Sequence, residues 1–192
     1  MLTTPIRNRS EILKMKEYYR KAGRTRDYVL FVMGINTALR ISDLIALRWK
    51  DVYNYLEGVY VRHIYLQEQK TGKRNCIALN QSAAEALELL RGKRGVKCEP
   101  EEYIFYSGNN RRTHISRNRA WHIIKDASRE LGIEGNISCH SLRKTFGYHA
   151  WKVGTPPAVI MGIYNHSSIA ITKRYLSITQ DDYDEVFNSV NL

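Results

Sequence analysis

Four side chains of chemical interest fall within residues 136–177: His140, Arg143, His166 and Tyr175. His140 and Arg143 are three positions apart, so on a helix they project from one side of a single turn. His166 lies in Asn165-His166-Ser167-Ser168, a turn ahead of a helix, and Tyr175 follows nine positions later. These residue types suit metal-free cleavage of a phosphodiester. That reaction needs a nucleophile for phosphorus and cations to neutralise the non-bridging oxygens in the transition state. It also needs an acid for the leaving oxygen and a scaffold that holds the nucleophile in line. Arginine suits phosphate because its planar fork gives two parallel hydrogen bonds and stays charged. A phenol, with an ordinary pKa of about 10, needs a base or nearby cations to attack at neutral pH. Each residue taken singly has a plainer reading: a chance H-x-x-R pair, a helix-capping histidine, one half-buried core tyrosine among thirteen.

The elements that must hold these groups read as mostly helical. Asn8 with Glu11 three residues on resembles a capping box. It opens a first helix with an apolar face of Ile12, Leu13, Met15 and Tyr19, stopped at Gly23. A second helix is expected over residues 25–36, a turn over 37–40, and a short helix over 42–47. Asp43 falls in its first turn, where negative charge complements the helix dipole. Residues 58–70 alternate and are rich in Val, Ile and Tyr; with residues 73–79 they predict a hairpin turning at Thr71-Gly72. Its tip carries Lys70, Lys73 and Arg74. Asn80 or Ser82 caps a helix ending near Arg91-Gly92, and a basic, glycine-containing loop follows over residues 92–100. Residues 103–106 predict a short buried strand, and residues 107–113 a turn-rich loop with paired arginines.

A helix from Ser116 to Leu131 comes next, ended by Gly132. Arg111, Arg112, Arg117 and Arg119 crowd its start, where positive charge opposes the dipole and bound phosphate would relieve the conflict. Ser138 caps the helix that bears His140 and Arg143, which runs to about residue 153 before Gly154. Thr155 caps the following helix, with Pro156 at its first position. A short helix from Ser168 to Leu176 bears Tyr175. The last helix, residues 181–190, carries an apolar stripe of Tyr183, Val186, Phe187 and Val190, which either folds back on its own core or docks elsewhere. The fold class is mainly α with a small antiparallel β-sheet (α+β), in a single domain over residues 1–192.

The totals narrow the partners. Thirty Lys and Arg against nineteen Asp and Glu give a net charge of +11, which suits a polyanion because neutralised phosphates release counterions. Three scattered cysteines, Cys76, Cys98 and Cys139, indicate neither a disulfide framework nor a zinc site, and fit a reducing setting. The first residues turn charged before any apolar run forms, and no stretch is long and apolar enough to span a membrane.

Residues 136–177 resemble the catalytic domain of the tyrosine recombinases, the phage-integrase family. His140-Ser141-Leu142-Arg143-Lys144-Thr145-Phe146 matches that family's H-x-L-R-[H/K]-T-F box. Asn165-His166-Ser167-Ser168-Ile169 followed by Tyr175 matches its second histidine box and nucleophile spacing. Upstream, Thr37-Ala38-Leu39-Arg40-Ile41-Ser42-Asp43-Leu44 resembles the T-G-L-R-x-S-E-L box, and Gln69-Lys70-Thr71-Gly72-Lys73 the lysine-bearing loop. The order and separations agree over nearly the whole chain, which makes the series specific.

The resemblance implies a mechanism. Arg40 and Arg143 would clamp the scissile phosphate, His140 would act as base or hydrogen-bond donor, and His166 would donate to a non-bridging oxygen. Lys70, with Lys73 close enough to substitute, would protonate the leaving 5′ oxygen, and Tyr175 would form a 3′-phosphotyrosyl link. Asp43 would buttress the arginine region. No metal and no other cofactor is implied. The expected partner is double-stranded DNA, with self-association on it up to a tetramer, in a cytoplasmic, nucleoid-associated protein of bacterial or phage origin. DNA-binding candidates are Lys73, Arg74, Arg111, Arg112, Arg117, Arg119 and Lys144. Two departures stand out: Asn165 replaces the family's glycine, and the family's N-terminal DNA-clamping domain has no counterpart. The helix-borne stripe would dock on a neighbouring subunit. Two alternatives compete. Residues 37–52 could pass for the helix-turn-helix of a non-catalytic regulator, with Arg48 and Lys50 on phosphates. A type IB topoisomerase would share the tyrosine chemistry.

Overall fold

The computed structural model describes residues 2–93 and 98–190, so most of the expected basic loop over residues 92–100 lies outside the described residues. Helix α1 (Arg9–Lys21) buries Met15 and Tyr19, and the Tyr19 hydroxyl donates to the Ile123 carbonyl at 2.8 Å. Asn8 is its N-cap, but the expected capping box does not form. The Glu11 carboxylate instead accepts the Glu134 N–H at 3.2 Å, which ties α1 to a distant loop.

Helix α2 (Thr25–Thr37) is the core helix. Val29, Leu30, Phe31, Val32 and Met33 are all buried, as expected of a helix packed on several sides. Its neighbours are α5 (Gln81–Lys93) and α7 (Cys139–Lys152). Gly34 permits the approach to α7, since a Cβ there would sit 2.5 Å from Leu142 Cδ1. The helix ends where Ala38 takes φ 55°, an uncommon conformation for a residue with a Cβ. The chain then re-enters a helix at once in α3 (Ile41–Ile45), with Arg40 as its N-cap.

The helix-turn-helix reading fails at this point. Helix α4 (Trp49–Val52) is a single turn, and Trp49 and Val52 are fully buried, so it presents no groove-reading face. Arg48 and Lys50 are both engaged by Glu101.

The β structure forms three separate two-stranded antiparallel sheets rather than one. Residues 58–70 do not make one strand. Strand β2 (Val59–Tyr60) pairs with β1 (Tyr53–Asn54), and β3 (His63–Gln67) pairs with β4 (Arg74–Ala78). The break falls where Val61 gives its N–H to the Val52 carbonyl at the end of α4 and changes partner. The expected hairpin turning at Thr71-Gly72 is present, with Gly72 at φ 68°. The stretch read as a loop over residues 107–113 is a third hairpin, β5 (Tyr106–Ser107) with β6 (Asn110–His114), turned by Gly108. Before it, Ile104 and Phe105 are buried and bonded to the Leu47 carbonyl and the Ile115 N–H.

Side-chain caps start α5, α6 and α7 as expected, whereas the expected Thr155 cap on the next helix does not form. Asn80 accepts the Ala83 N–H ahead of α5, and Ser116 accepts the Arg119 N–H at the start of α6 (Arg117–Glu130). Ser138 and Ser141 form a reciprocal cap on α7. Helix α8 (Pro157–Ile163) starts one residue later than expected, with Pro156 as N-cap and Pro157 at its first position. Helix α9 (Ile169–Leu176) bears Tyr175 and stops at Ser177, φ 52°.

Helix α10 (Gln180–Ser189) does not fold its apolar stripe back on the core: Tyr183 is 54%, Val186 56% and Phe187 78% exposed. It is held by its polar side instead. Asp182, 5% exposed, forms ion pairs with Arg7 and Lys152, and Arg7 also donates to the Ser177 carbonyl and the Thr179 hydroxyl. A small second core of Ala38, Ile160, Tyr164 and Leu176, with Phe146 and Tyr175 against it, joins α7, α8 and α9.

Candidate active site

The reciprocal cap on α7 sets the rotation of its first turn. His140 faces Tyr175, and its Nε2 lies 2.6 Å from the Tyr175 hydroxyl. One turn on, Arg143 enters the protein and is 2% exposed. Its Nη1 donates to the Ala38 carbonyl, the acceptor exposed by that left-handed turn, and its Nη2 to the Tyr164 carbonyl at 2.7 Å. Its guanidinium stands 4.4 Å from the Tyr164 ring centroid, and the Tyr164 hydroxyl returns a 2.5 Å bond to the Arg143 carbonyl. Gly147 makes room for Tyr164, because a Cβ there would lie 2.2 Å from the Tyr164 oxygen. The Arg143 Nε is buried and has no hydrogen-bond partner.

Arg40 arrives from the start of α3. Its Nη1 lies 2.5 Å from Glu68 Oε2, an ion pair with Glu68 almost wholly buried. The two guanidinium groups feel each other: burial first, then the Arg40 charge, holds Arg143 below the usual arginine range.

Tyr175 is half-buried between both histidines. Its ring centroid is 5.2 Å from that of His140 and 4.6 Å from that of His166. His166 follows Asn165, which takes the left-handed φ of 53° that the family's glycine would take. Its Nδ1 lies 3.1 Å from the Thr172 hydroxyl on α9, and Thr172 is fully buried. Burial, then the charges of Arg143 and Arg40, push the His166 imidazole down to about 4. Burial, then Arg143, Lys144, Arg40 and Lys70, likewise hold His140 below its ordinary value. Both rings are therefore neutral at pH 7.

Lys70 is exposed at the hairpin tip, with its charge close enough to bear on His140. Lys70 and Lys73 hold no ion pair among the described residues. The hairpin is anchored beneath Lys70: Asp43 Oδ1 accepts the Gln69 N–H at 3.0 Å. Asp43 thus braces the lysine hairpin rather than an arginine side chain.

Arg40, His140, Arg143, His166 and Tyr175 are thus brought together, with Lys70 at the rim. The DNA-binding candidates divide. Lys73, Arg74, Arg112, Arg117 and Arg119 are exposed. Arg111 is half-buried and turned toward Glu102, with Nη1 to Oε1 at 3.5 Å. Lys144 is not on the surface. It is 6% exposed, with Nζ donating to the Thr3 carbonyl at 2.6 Å and standing 5.9 Å from the Tyr175 ring centroid. Three residues of the site were not singled out by sequence reasoning: Tyr164, Glu68 and Thr172. A signal for Glu68 exists: Ile64, Leu66 and Glu68 share one face of the strand, so a carboxylate follows two apolar residues in inward phase. Among the described residues no group of three or more His, Cys, Asp or Glu could hold a metal ion, and no helix is long and apolar enough to cross a membrane.

The fold is that of a tyrosine recombinase catalytic domain, and the chain belongs to the phage integrase family, whose sequence model matches residues 7–181. The chain is 38% identical over 180 residues to a probable integrase/recombinase, YoeC, of Bacillus subtilis, covering 94% of this chain and 92% of that protein. It is 30% identical over 169 residues to the tyrosine recombinase XerD of Mycobacterium leprae, covering 84% of this chain and 51% of that one. It therefore spans about half the length of the XerD relatives it matches. In three dimensions it is similar to the XerA recombinase, with a TM-score of 0.78 at 22% identity over 100% of this chain and 67% of that one. It is also similar to the XerH recombinase bound to a palindromic difH substrate, with a TM-score of 0.75 at 17% identity over 96% and 52%.

Proposed function

We propose that this chain is the catalytic unit of a site-specific DNA recombinase that cuts and rejoins strands through Tyr175. One observation carries the reading. The Tyr175 hydroxyl is hydrogen-bonded to a neutral histidine beside the guanidinium groups of Arg40 and Arg143, and the buried Arg143 Nε has no hydrogen-bond partner among the described residues. A buried donor left open is costly, and a phosphate oxygen satisfies it.

The chemistry follows from the positions. Tyr175 Oη attacks phosphorus and gives its proton to His140 Nε2, 2.6 Å away. Arg40 and Arg143 offset the charge that grows on the non-bridging oxygens. His166 Nδ1 lies 3.1 Å from the Thr172 hydroxyl; in the tautomer this reading takes, that hydroxyl donates to Nδ1 and the ring proton on Nε2 makes the neutral imidazole a donor to phosphate. The bond from phosphorus to O5′ breaks, and Lys70 supplies the proton to that oxygen. A 3′-phosphotyrosyl ester and a free 5′-hydroxyl result. Attack by a second strand's 5′-hydroxyl reverses the steps, so rejoining needs no external energy source.

Solved structures of similar fold include the Tn1549 transposon integrase in complex with transposon right end DNA. For this chain, double-stranded DNA is the partner, met by the exposed Lys73, Arg74, Arg112, Arg117 and Arg119. The exposed stripe on α10 docks on a second copy when both are on DNA. The test is a nicked suicide duplex, from which the cut end diffuses away. A covalent protein–DNA band forms with the wild-type chain. Tyr175→Phe loses the band and keeps retention of the duplex in a gel; a band that survives that change overturns the assignment.

A further inference from the structure

Glu68 is a buried carboxylate in the middle of this site that the proposed chemistry leaves unused. It sits just past β3, two residues before Lys70, and is 1% exposed. Partners from three parts of the chain converge on it. From the hairpin, the Thr71 hydroxyl donates to Oε2 at 2.5 Å and Asn75 Nδ2 to Oε1 at 3.2 Å. From the turn before His166, Asn165 Nδ2 donates to Oε1 at 3.3 Å. From the start of α3, Arg40 Nη1 stands 2.5 Å from Oε2.

A carboxylate is not buried without cost, and this one is repaid only through those partners. Burial alone would raise its pKa. Bonding to Thr71 and Arg40, the Arg40 charge and the bond from Asn165 outweigh that and hold it below the usual range, so it stays ionised. Its charge also balances the site. Arg40 and Arg143 repel one another across a buried space. One carboxylate offsets one of them in the DNA-free protein, and a phosphodiester offsets the other. Glu68 pairs Arg40 and links it to the Asn165-His166 turn, and it adds to the hold that Asp43 and Ser42 on α3 have on Gln69 of the hairpin.

We propose that Glu68 is a positioning residue that fastens Arg40, the Lys70 hairpin and the Asn165-His166 turn into one rigid unit. Its contribution is orientation, not contact with DNA, and misplacement of a catalytic group by about 1 Å can cost roughly a hundredfold in rate. The consequence for cleavage rests on the recombinase reading; the fastening itself does not.

Two measurements on the full chain separate the two. Glu68→Gln keeps shape and removes charge, and its folding is checked by thermal denaturation, with Glu68→Asp as the variant that keeps the charge. In the DNA-free protein, amide hydrogen exchange in Glu68→Gln rises together over residues 68–75 and residues 165–166. On the suicide duplex, its single-turnover rate of covalent-complex formation falls about 10- to 100-fold while duplex retention is unchanged, and Glu68→Asp recovers part of the rate. Unchanged exchange in both segments, or an undiminished rate, overturns the proposal. A wild-type chain that forms no covalent complex overturns the recombinase reading instead, and the exchange measurement still decides the role of Glu68.

Discussion

At the scale of the residue, the site works by keeping its imidazoles neutral among cations. His140 can accept the Tyr175 proton only while its ring is uncharged, and burial with Arg143, Lys144, Arg40 and Lys70 secures that. His166 is pushed further, to about 4. The consequence for stability has a definite sign. An unfolded histidine titrates near 6.5, so between about pH 6.5 and about 4 the unfolded chain binds a proton at this position and the folded chain does not. The contribution of neutral His166 is complete above about pH 6.5 and is lost as pH falls toward about 4. Urea midpoints measured across that window are therefore expected to fall more steeply for the wild-type chain than for His166→Gln. Parallel curves would show that the ring carries no such share. The residue types and their order were legible in the sequence, since His140, Arg143, His166 and Tyr175 are near neighbours along the chain. Glu68 was not, because its meaning lies in partners such as Asn165, ninety-seven positions away.

At the scale of the element, the site depends on how closely α7 approaches α2 and α8. Gly147 is the tightest point: a Cβ there would meet the Tyr164 oxygen at 2.2 Å and the ring at 3.0 Å. Tyr164 in turn holds both the side chain and the carbonyl of Arg143. Gly147→Ala is expected to cost about 1–3 kcal/mol in denaturant unfolding by overpacking, and to slow cleavage by moving Arg143. A variant of unchanged stability and rate would mean that Tyr164 yields without disturbing the arginine. Helices were legible because their ends carry local chemistry, as with Asn80, Ser116 and Ser138. Strands of two residues carry no readable period, so β1, β2 and β5 do not stand out from their surroundings. Lys144 was illegible for another reason: what covers it is Thr3, 141 positions distant.

At the scale of the whole molecule, the assembly on DNA proposed above would draw on the +11 charge and on the apolar face of α10, which is exposed among the described residues. Arg117 and Arg119 are exposed, whereas Lys144 is spent on a carbonyl inside the protein. Replacing Arg117 or Arg119 by alanine is expected to reduce the slope of log affinity against log salt by about one for each phosphate deprived of its cation. Lys144→Ala is expected to leave that slope unchanged in the same titration. Phe187, 78% exposed, can be charged without disturbing a core. Phe187→Asp is expected to lower the mass of the DNA-bound assembly in sedimentation while leaving the DNA-free chain as it was. An assembly of unaltered mass would remove the stripe from the interface.

The central claim is that Tyr175 becomes esterified to the 3′ side of a broken phosphodiester. Mass spectrometry of the trapped complex, digested with protease and nuclease, tests it most directly. The expected result is a nucleotide adduct on the peptide that contains Tyr175, alongside a released strand with a free 5′-hydroxyl. An adduct on another tyrosine, or a released strand bearing a 5′-phosphate, would contradict it.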